Sequence, residues 1–145
     1  MTNFAWNQFL EVAKDVHIAV QENVTINLRA AKIRTAVSRA YYAAFHQGFY
    51  FASGRATKVD RSQHAWTIKF FLHQCQILGT FNPAQKQKSY EIGQMLFTLY
   101  DLRIWADYRD QPFIDDLYQV EMAIILSDEA CKLIGELEQE IPRRK

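Results

Sequence analysis

Hydrophobic residues recur about every 3.6 positions along nearly the whole 145-residue chain. That spacing is typical of one face of an α-helix. No segment shows the alternation with a period of two that a half-buried strand requires. The pattern therefore predicts an all-α protein, which we expect to be an up-and-down bundle of about five antiparallel helices.

Residues that start and stop helices divide this pattern. Asn, Ser and Thr are good N-caps, Pro is tolerated at the first helical position, and Gly accommodates a left-handed C-terminal cap. Thr2, Ser62 and Asn82 are placed as N-caps, Pro83 and Pro112 as first helical residues, and Gly54 as a C-terminal cap. The predicted helices cover about 3–21, 27–53, 63–78, 83–107 and 112–140.

Composition narrows the class of protein. With 49% hydrophobic residues the chain can bury one core, so we expect a single domain over 1–145 with a basic tail at 142–145. No apolar run approaches the roughly 20 residues of a membrane span, and the N-terminus lacks a secretory signal, so a cytoplasmic location is expected.

Cys75 and Cys131 lie far apart in predicted helix interiors, which favours free thiols. No set of residues has metal-ligand spacing, and neither a metal nor a cofactor is predicted.

Charge is unevenly distributed although the net charge is +1. Residues 1–90 carry eleven Lys or Arg against four Asp or Glu, a net +7, whereas residues 91–145 carry six against twelve, a net −6. Such asymmetry indicates a surface for polyanions on the first half, or attraction between the two halves or between protomers.

The second predicted helix has two apolar arcs with a polar stripe between them. The stripe, Lys32, Arg39 and His46, has heptad spacing, and Tyr42 lies beside it. We predict that these four residues bind nucleic acid, and that binding strengthens from pH 8 to 6 if His46 titrates near 6.5. The alternative is a solvated edge between two packed faces. One apolar arc can serve the core of the monomer, and the other can meet a further helix or a second protomer. These two arcs and the 14% aromatic content also predict a homodimer.

The fourth predicted helix places Arg103 in line with the apolar positions Ile92, Leu96 and Leu99. An inward Arg needs a partner, and Asp107 lies one helical turn further on. One interpretation is a buried ion pair that fixes helix packing. The other is an Arg kept in a cleft to hold phosphate, with Tyr108 beside it. Arg103, Asp107 and Tyr108 are therefore the candidate catalytic residues.

Three segments together resemble the small prokaryotic HEPN-domain proteins, and the resemblance covers nearly the whole chain. They are Ser38-Arg39-Ala40-Tyr41-Tyr42-Ala43-Ala44-Phe45-His46, then Ser62-Gln63-His64, and finally Leu102-Arg103-Ile104-Trp105-Ala106-Asp107-Tyr108. The resemblance implies a dimerising four- or five-helix bundle, often the toxin partner of a minimal nucleotidyltransferase antitoxin. Many such proteins are metal-independent endoribonucleases that act on an RNA 2′-hydroxyl and the neighbouring phosphate.

One position departs from that resemblance. Family ribonucleases carry a His separated from the Arg by four to six intervening residues, but Tyr108, Arg109 and Asp110 occupy those positions. A phenol with a pKa near 10 does not replace imidazole as a base at neutral pH. Arg39 and His46 also match the spacing, but they lie roughly 10 Å apart along a helix and belong to another segment. Two functions remain: an RNA- or nucleotide-binding toxin or effector with an incomplete motif, or a non-catalytic module that binds a nucleotidyltransferase. For His64, the sequence favours a capping, core or surface role.

Overall fold

The computed structural model describes residues 6–23, 26–60, 63–108 and 116–144. Within these ranges all regular structure is helical, which confirms the predicted fold class. The five helices are α1 (Asn7–Asn23), α2 (Ile26–Ser53), α3 (Gln63–Lys69, continued by a π-helical turn Phe70–Gln74 and a last turn Cys75–Ile77), α4 (Pro83–Tyr108) and α5 (Asp116–Glu140). No described helix is long and apolar enough to cross a membrane.

The start of α4 follows the predicted capping chemistry. Asn82 accepts a hydrogen bond from the Gln85 amide through Oδ1 at 2.9 Å, and the Gln85 side chain accepts one from the Asn82 amide at 3.0 Å. This reciprocal pair satisfies two amides that the helix itself leaves unbonded, and Pro83 follows as the first helical residue. The proposed caps Thr2 and Ser62, and Pro112, lie outside the described residues.

The four longer helices alternate in direction around α2. Ser38 lies against Asp107 near the start of α2, whereas Gly48 lies against Leu96, so α2 and α4 are antiparallel. The α1 and α5 helices lie on other sides of α2, and all five helices contribute to one buried apolar cluster. The short α3 departs from strict alternation, because its residues meet successive α2 residues in the same order along the chain.

This placement of α3 covers the second apolar arc of α2. The ring of Phe45 stacks on His64 at a centroid distance of 4.2 Å, and Phe49 meets the edge of Trp66. Phe45 is buried and Phe49 half-buried within one chain. The second face of α2 therefore meets a further helix, α3, which was one of the two expected neighbours, and this face gives no support for a dimer.

The end of α2 differs from its predicted cap. Gly54 does not adopt the left-handed conformation; instead, a Cβ there would stand 2.5 Å from the guanidinium carbon of Arg143. The basic tail folds back on this turn, because the Arg144 amide donates to the Gly54 carbonyl at 2.7 Å. Beside it, the buried Arg55 donates from Nη2 to the Ile141 carbonyl just after α5. The glycine leaves room for the Arg143 guanidinium, and Arg55 satisfies a carbonyl at the helix end.

The charge asymmetry is partly neutralised inside the fold. Carboxylates of α5 pair with basic residues of the first 90 positions: Lys14 with Asp128 at 3.9 Å, Arg55 with Glu138 at 3.8 Å, and Lys88 with Glu136 at 3.2 Å. Attraction between the two halves of the chain is therefore present.

Cys75 and Cys131 are free thiols, as predicted, and burial raises the pKa of Cys75 to about 12 and that of Cys131 to about 11.

Candidate functional site

Arg103 faces inward from the last turns of α4, as its place in the apolar line predicts. The residue is only 8% exposed. Its Nε donates to Asp107 Oδ2 at 2.9 Å, one turn further along the helix, and the Asp107 side chain keeps 29% of its surface exposed. The predicted ion pair is therefore present, but it opens to solvent on the carboxylate side.

Two tyrosines complete the surroundings of this guanidinium. Arg103 Nη2 donates to the Tyr42 hydroxyl at 2.7 Å and lies 3.4 Å from that of Tyr108. Its central carbon stands 5.2 Å from the Tyr42 ring centroid and 5.3 Å from that of Tyr108, which suits cation–π attraction. Burial alone would lower the pKa of Arg103, but Tyr42, Tyr108 and Asp107 together raise it. Tyr42, placed by sequence in the nucleic-acid stripe, thus belongs with Arg103.

A shallow polar cleft of about 290 Å³ adjoins Asp107 between α2 and the end of α4. Arg34 and Ser38 line it and were missed by the sequence analysis. Arg34 Nη1 donates to the carbonyls of Trp105 and Ala106 at 2.9 and 3.1 Å, where α4 runs out of helical donors. Ser38 Oγ donates to Asp107 Oδ2 at 3.3 Å. Their spacing of four along α2 was the available signal.

The predicted basic stripe is only partly accessible. Lys32, Arg39 and His46 are all half-buried. Arg39 lines the cleft, and its guanidinium carbon stands 5.0 Å from the Phe9 ring centroid of α1. His46 is covered by Trp6, with ring centroids 3.7 Å apart. The periodicity of α2 alone does not reveal that α1 crosses this stripe.

The cover over His46 changes the expected pH dependence. Burial, followed by the nearby His64, lowers the pKa of His46 below its usual value of about 6.5. The condition for stronger nucleic-acid binding between pH 8 and 6, a His46 pKa near 6.5, is therefore not met, and any increase through His46 shifts towards lower pH.

His64 packs against the core, which is one of the roles that the sequence favoured for it. Its ring stacks on Phe45, and its Nδ1 lies 2.6 Å from the hydroxyl of the fully buried Tyr41. Burial and, secondarily, the charge of Arg103 lower the pKa of His64. The available signal was its position in one of the three segments that carry the family resemblance.

The arrangement therefore groups one guanidinium, three tyrosines and two imidazoles whose pKa is lowered. Of the three positions where the family's His was sought, Tyr108 is described and the other two, Arg109 and Asp110, lie outside the described residues. No family model, no curated protein and no solved structure matches the chain. The residues themselves are thus the basis for any functional conclusion.

Proposed function

We propose that this chain is a HEPN-type toxin or effector of a prokaryotic toxin–antitoxin-like system, and that it binds RNA or a nucleotide through a phosphate group. The observation that carries the proposal is Arg103, which is held inward by Tyr42 and by Asp107, a residue that lines the polar cleft. Burying an arginine is costly unless it is paired. A guanidinium bonded to a residue that lines an open cleft suits planar, two-pronged recognition of a phosphate.

The directions in which Arg103 is bonded support this use. Its Nε edge is bonded to Asp107, and Nη2 to the tyrosine hydroxyls. Nη1 donates no hydrogen bond to the described residues. Arg39 adds a second positive charge where the cleft meets α1. The half-buried Tyr42 ring lies beside the Arg103 charge, and aromatic rings next to positive charges are typical of single-strand binding.

Cleavage is a separate step. Tyr108 stands where the family's ribonucleases have an imidazole in the motif, and its hydroxyl lies near Arg103 instead. A neutral phenol in that position suits binding better than proton abstraction at neutral pH. We therefore propose binding without the usual ribonuclease mechanism.

A binding assay with a short fluorescein-labelled single-stranded RNA at low salt tests the proposal. Arg39→Ala should lower the affinity, whereas Lys69→Ala, which removes an exposed charge on α3, should not. The same RNA should remain intact during the assay. If wild type cuts it and Tyr108→Phe does not, Tyr108 replaces the absent His and the non-catalytic assignment is wrong.

A second candidate function is a non-catalytic module that binds a nucleotidyltransferase. It is favoured by apolar side chains on the outer surface of α4, where Tyr90 is 43% exposed and Phe97 61% exposed. Exposed apolar surface is common at protein interfaces. If wild type neither binds RNA at low salt nor cuts it, this candidate replaces the first. Phe97→Ser should then weaken co-purification with a nucleotidyltransferase encoded beside this chain.

A further inference from the structure

The ring of His64 lies against the same two tyrosines as Arg103. The central carbon of Arg103 is 5.8 Å from the Tyr41 ring centroid and 5.2 Å from that of Tyr42. The His64 ring centroid lies 5.7 and 6.3 Å from these same rings. The two side chains therefore belong to one cluster, although they come from α3 and α4.

The contact with Tyr41 determines which nitrogen of His64 carries the proton. Tyr41 is fully buried, and burial raises the pKa of its hydroxyl, so this group remains a hydrogen-bond donor. Among the described residues, its hydroxyl makes a hydrogen bond only with His64 Nδ1, at 2.6 Å. A buried hydroxyl that failed to donate would lose a hydrogen bond without compensation from water. Tyr41 therefore donates to Nδ1, and the neutral ring carries its hydrogen on Nε2.

The other nitrogen is available. His64 is half-buried, and Nε2 makes no hydrogen bond within the described part of the chain. A neutral ring with a fixed Nε2–H is a directional donor that costs less to desolvate than a second cation beside Arg103.

On the basis of the proposed function, we infer that His64 is a ligand-binding residue which donates from Nε2 to an oxygen of the phosphate group that Arg103 engages. Arg103 supplies the charge, and His64 adds a second donor from a different helix. The same chemistry fits a phosphodiester in RNA, a mononucleotide or inorganic phosphate.

Two amide variants separate this role from a structural one. In His64→Asn the amide oxygen can replace Nδ1 as the acceptor for Tyr41, but the Nε2 donor is lost. In His64→Gln the amide nitrogen can replace the Nε2 donor, but the acceptor for Tyr41 is lost. We expect His64→Asn to keep the melting temperature and to weaken phosphate-ligand binding about 5- to 10-fold, as for one hydrogen bond. His64→Gln should melt lower and keep affinity within about twofold of wild type.

Histidine ¹⁵N spectra provide the second measurement, with single-stranded RNA, a mononucleotide and inorganic phosphate as separate probes. We expect His64 to be in the Nε2–H form in the free protein, and its Nε2 signal to move when a ligand is added. In Tyr41→Phe, the preference for the Nε2–H form should be lost. Three results overturn the inference even where RNA binds. They are an Nδ1–H form of His64 in the free protein, an Nε2 signal that none of the three probes moves, and full ligand affinity in His64→Asn. If inorganic phosphate moves the His64 signal but neither RNA nor mononucleotide binds, the inference stands and the proposed function fails.

Discussion

At the scale of single residues, Arg103 connects stability with the proposed phosphate site. Arg103→Ala removes the partner of Asp107 and a donor to Tyr42. Breaking a fully buried pair costs about 3–5 kcal/mol. Because the Asp107 side chain keeps 29% of its surface exposed, we expect Arg103→Ala to lower the free energy of unfolding by less, about 2–3 kcal/mol as measured in urea. Asp101→Ala, an exposed carboxylate on the same helix, is the control. An unchanged unfolding midpoint for Arg103→Ala would contradict the inward placement of Arg103.

His46 and His64 make stability depend on pH in one direction. Burial lowers the pKa of both rings in the folded protein, so the folded state binds fewer protons than the unfolded chain near pH 6. The contribution of these two rings to the free energy of unfolding is complete above the unfolded pKa of about 6.5. It is lost as pH falls through the pKa values of the folded protein. Urea midpoints should therefore be constant from pH 8 to 7 and decline below about 6.5. Replacing both rings by Gln should flatten the decline, and His73→Gln, on the exposed face of α3, should not. A midpoint that rises on acidification would refute this assignment.

At the scale of helices, the boundaries follow from the sequence more closely than the contacts do. Caps such as Asn82 and starts such as Pro83 act locally, so the predicted start of α4 agrees with the structure. The π-helical turn in α3 and the cover over His46 depend on packing between distant segments. Periodicity identifies which faces of a helix are apolar; it does not identify the neighbour that covers each face. For the same reason the sequence places Arg103 with Asp107 but not with Tyr42 or His64.

The contact between α3 and α4 offers a test at this scale. A Cβ on Gly93 would stand 2.6 Å from the Leu72 side chain and 3.1 Å from its backbone nitrogen, within the π-helical turn. Ala favours helix over Gly by up to about 1 kcal/mol, but the overlap should exceed this gain, so Gly93→Ala should destabilise by about 1–3 kcal/mol. Gly135→Ala, in α5 with 3.9 Å to its nearest neighbour, should stabilise the protein. Thermal unfolding of both variants checks the difference, and a gain in melting temperature for Gly93→Ala would contradict this packing.

At the scale of the whole molecule, the expected homodimer now depends on a different surface. Tyr90, Phe97 and Ile104 recur every seven residues along α4, and Phe97 is 61% exposed. Two antiparallel copies of this stripe, centred on Phe97, would place Tyr90 opposite Ile104, which suits a twofold interface. We predict a dimer of the 17.0 kDa chain in light scattering at tens of micromolar, and a monomer for Phe97→Glu. A monomer mass for wild type would rule out this interface.

The central claim is that the polar cleft between α2 and α4 binds a nucleic-acid backbone. The salt dependence of RNA binding tests it most directly. Each phosphate contact made by a cation contributes roughly 0.7 to the slope of log affinity against log salt for a single strand. We predict that Arg39→Ala weakens binding and reduces this slope by about 0.7, while Lys69→Ala leaves both unchanged. An identical slope in wild type and Arg39→Ala, or no RNA binding by wild type at low salt, would contradict the account.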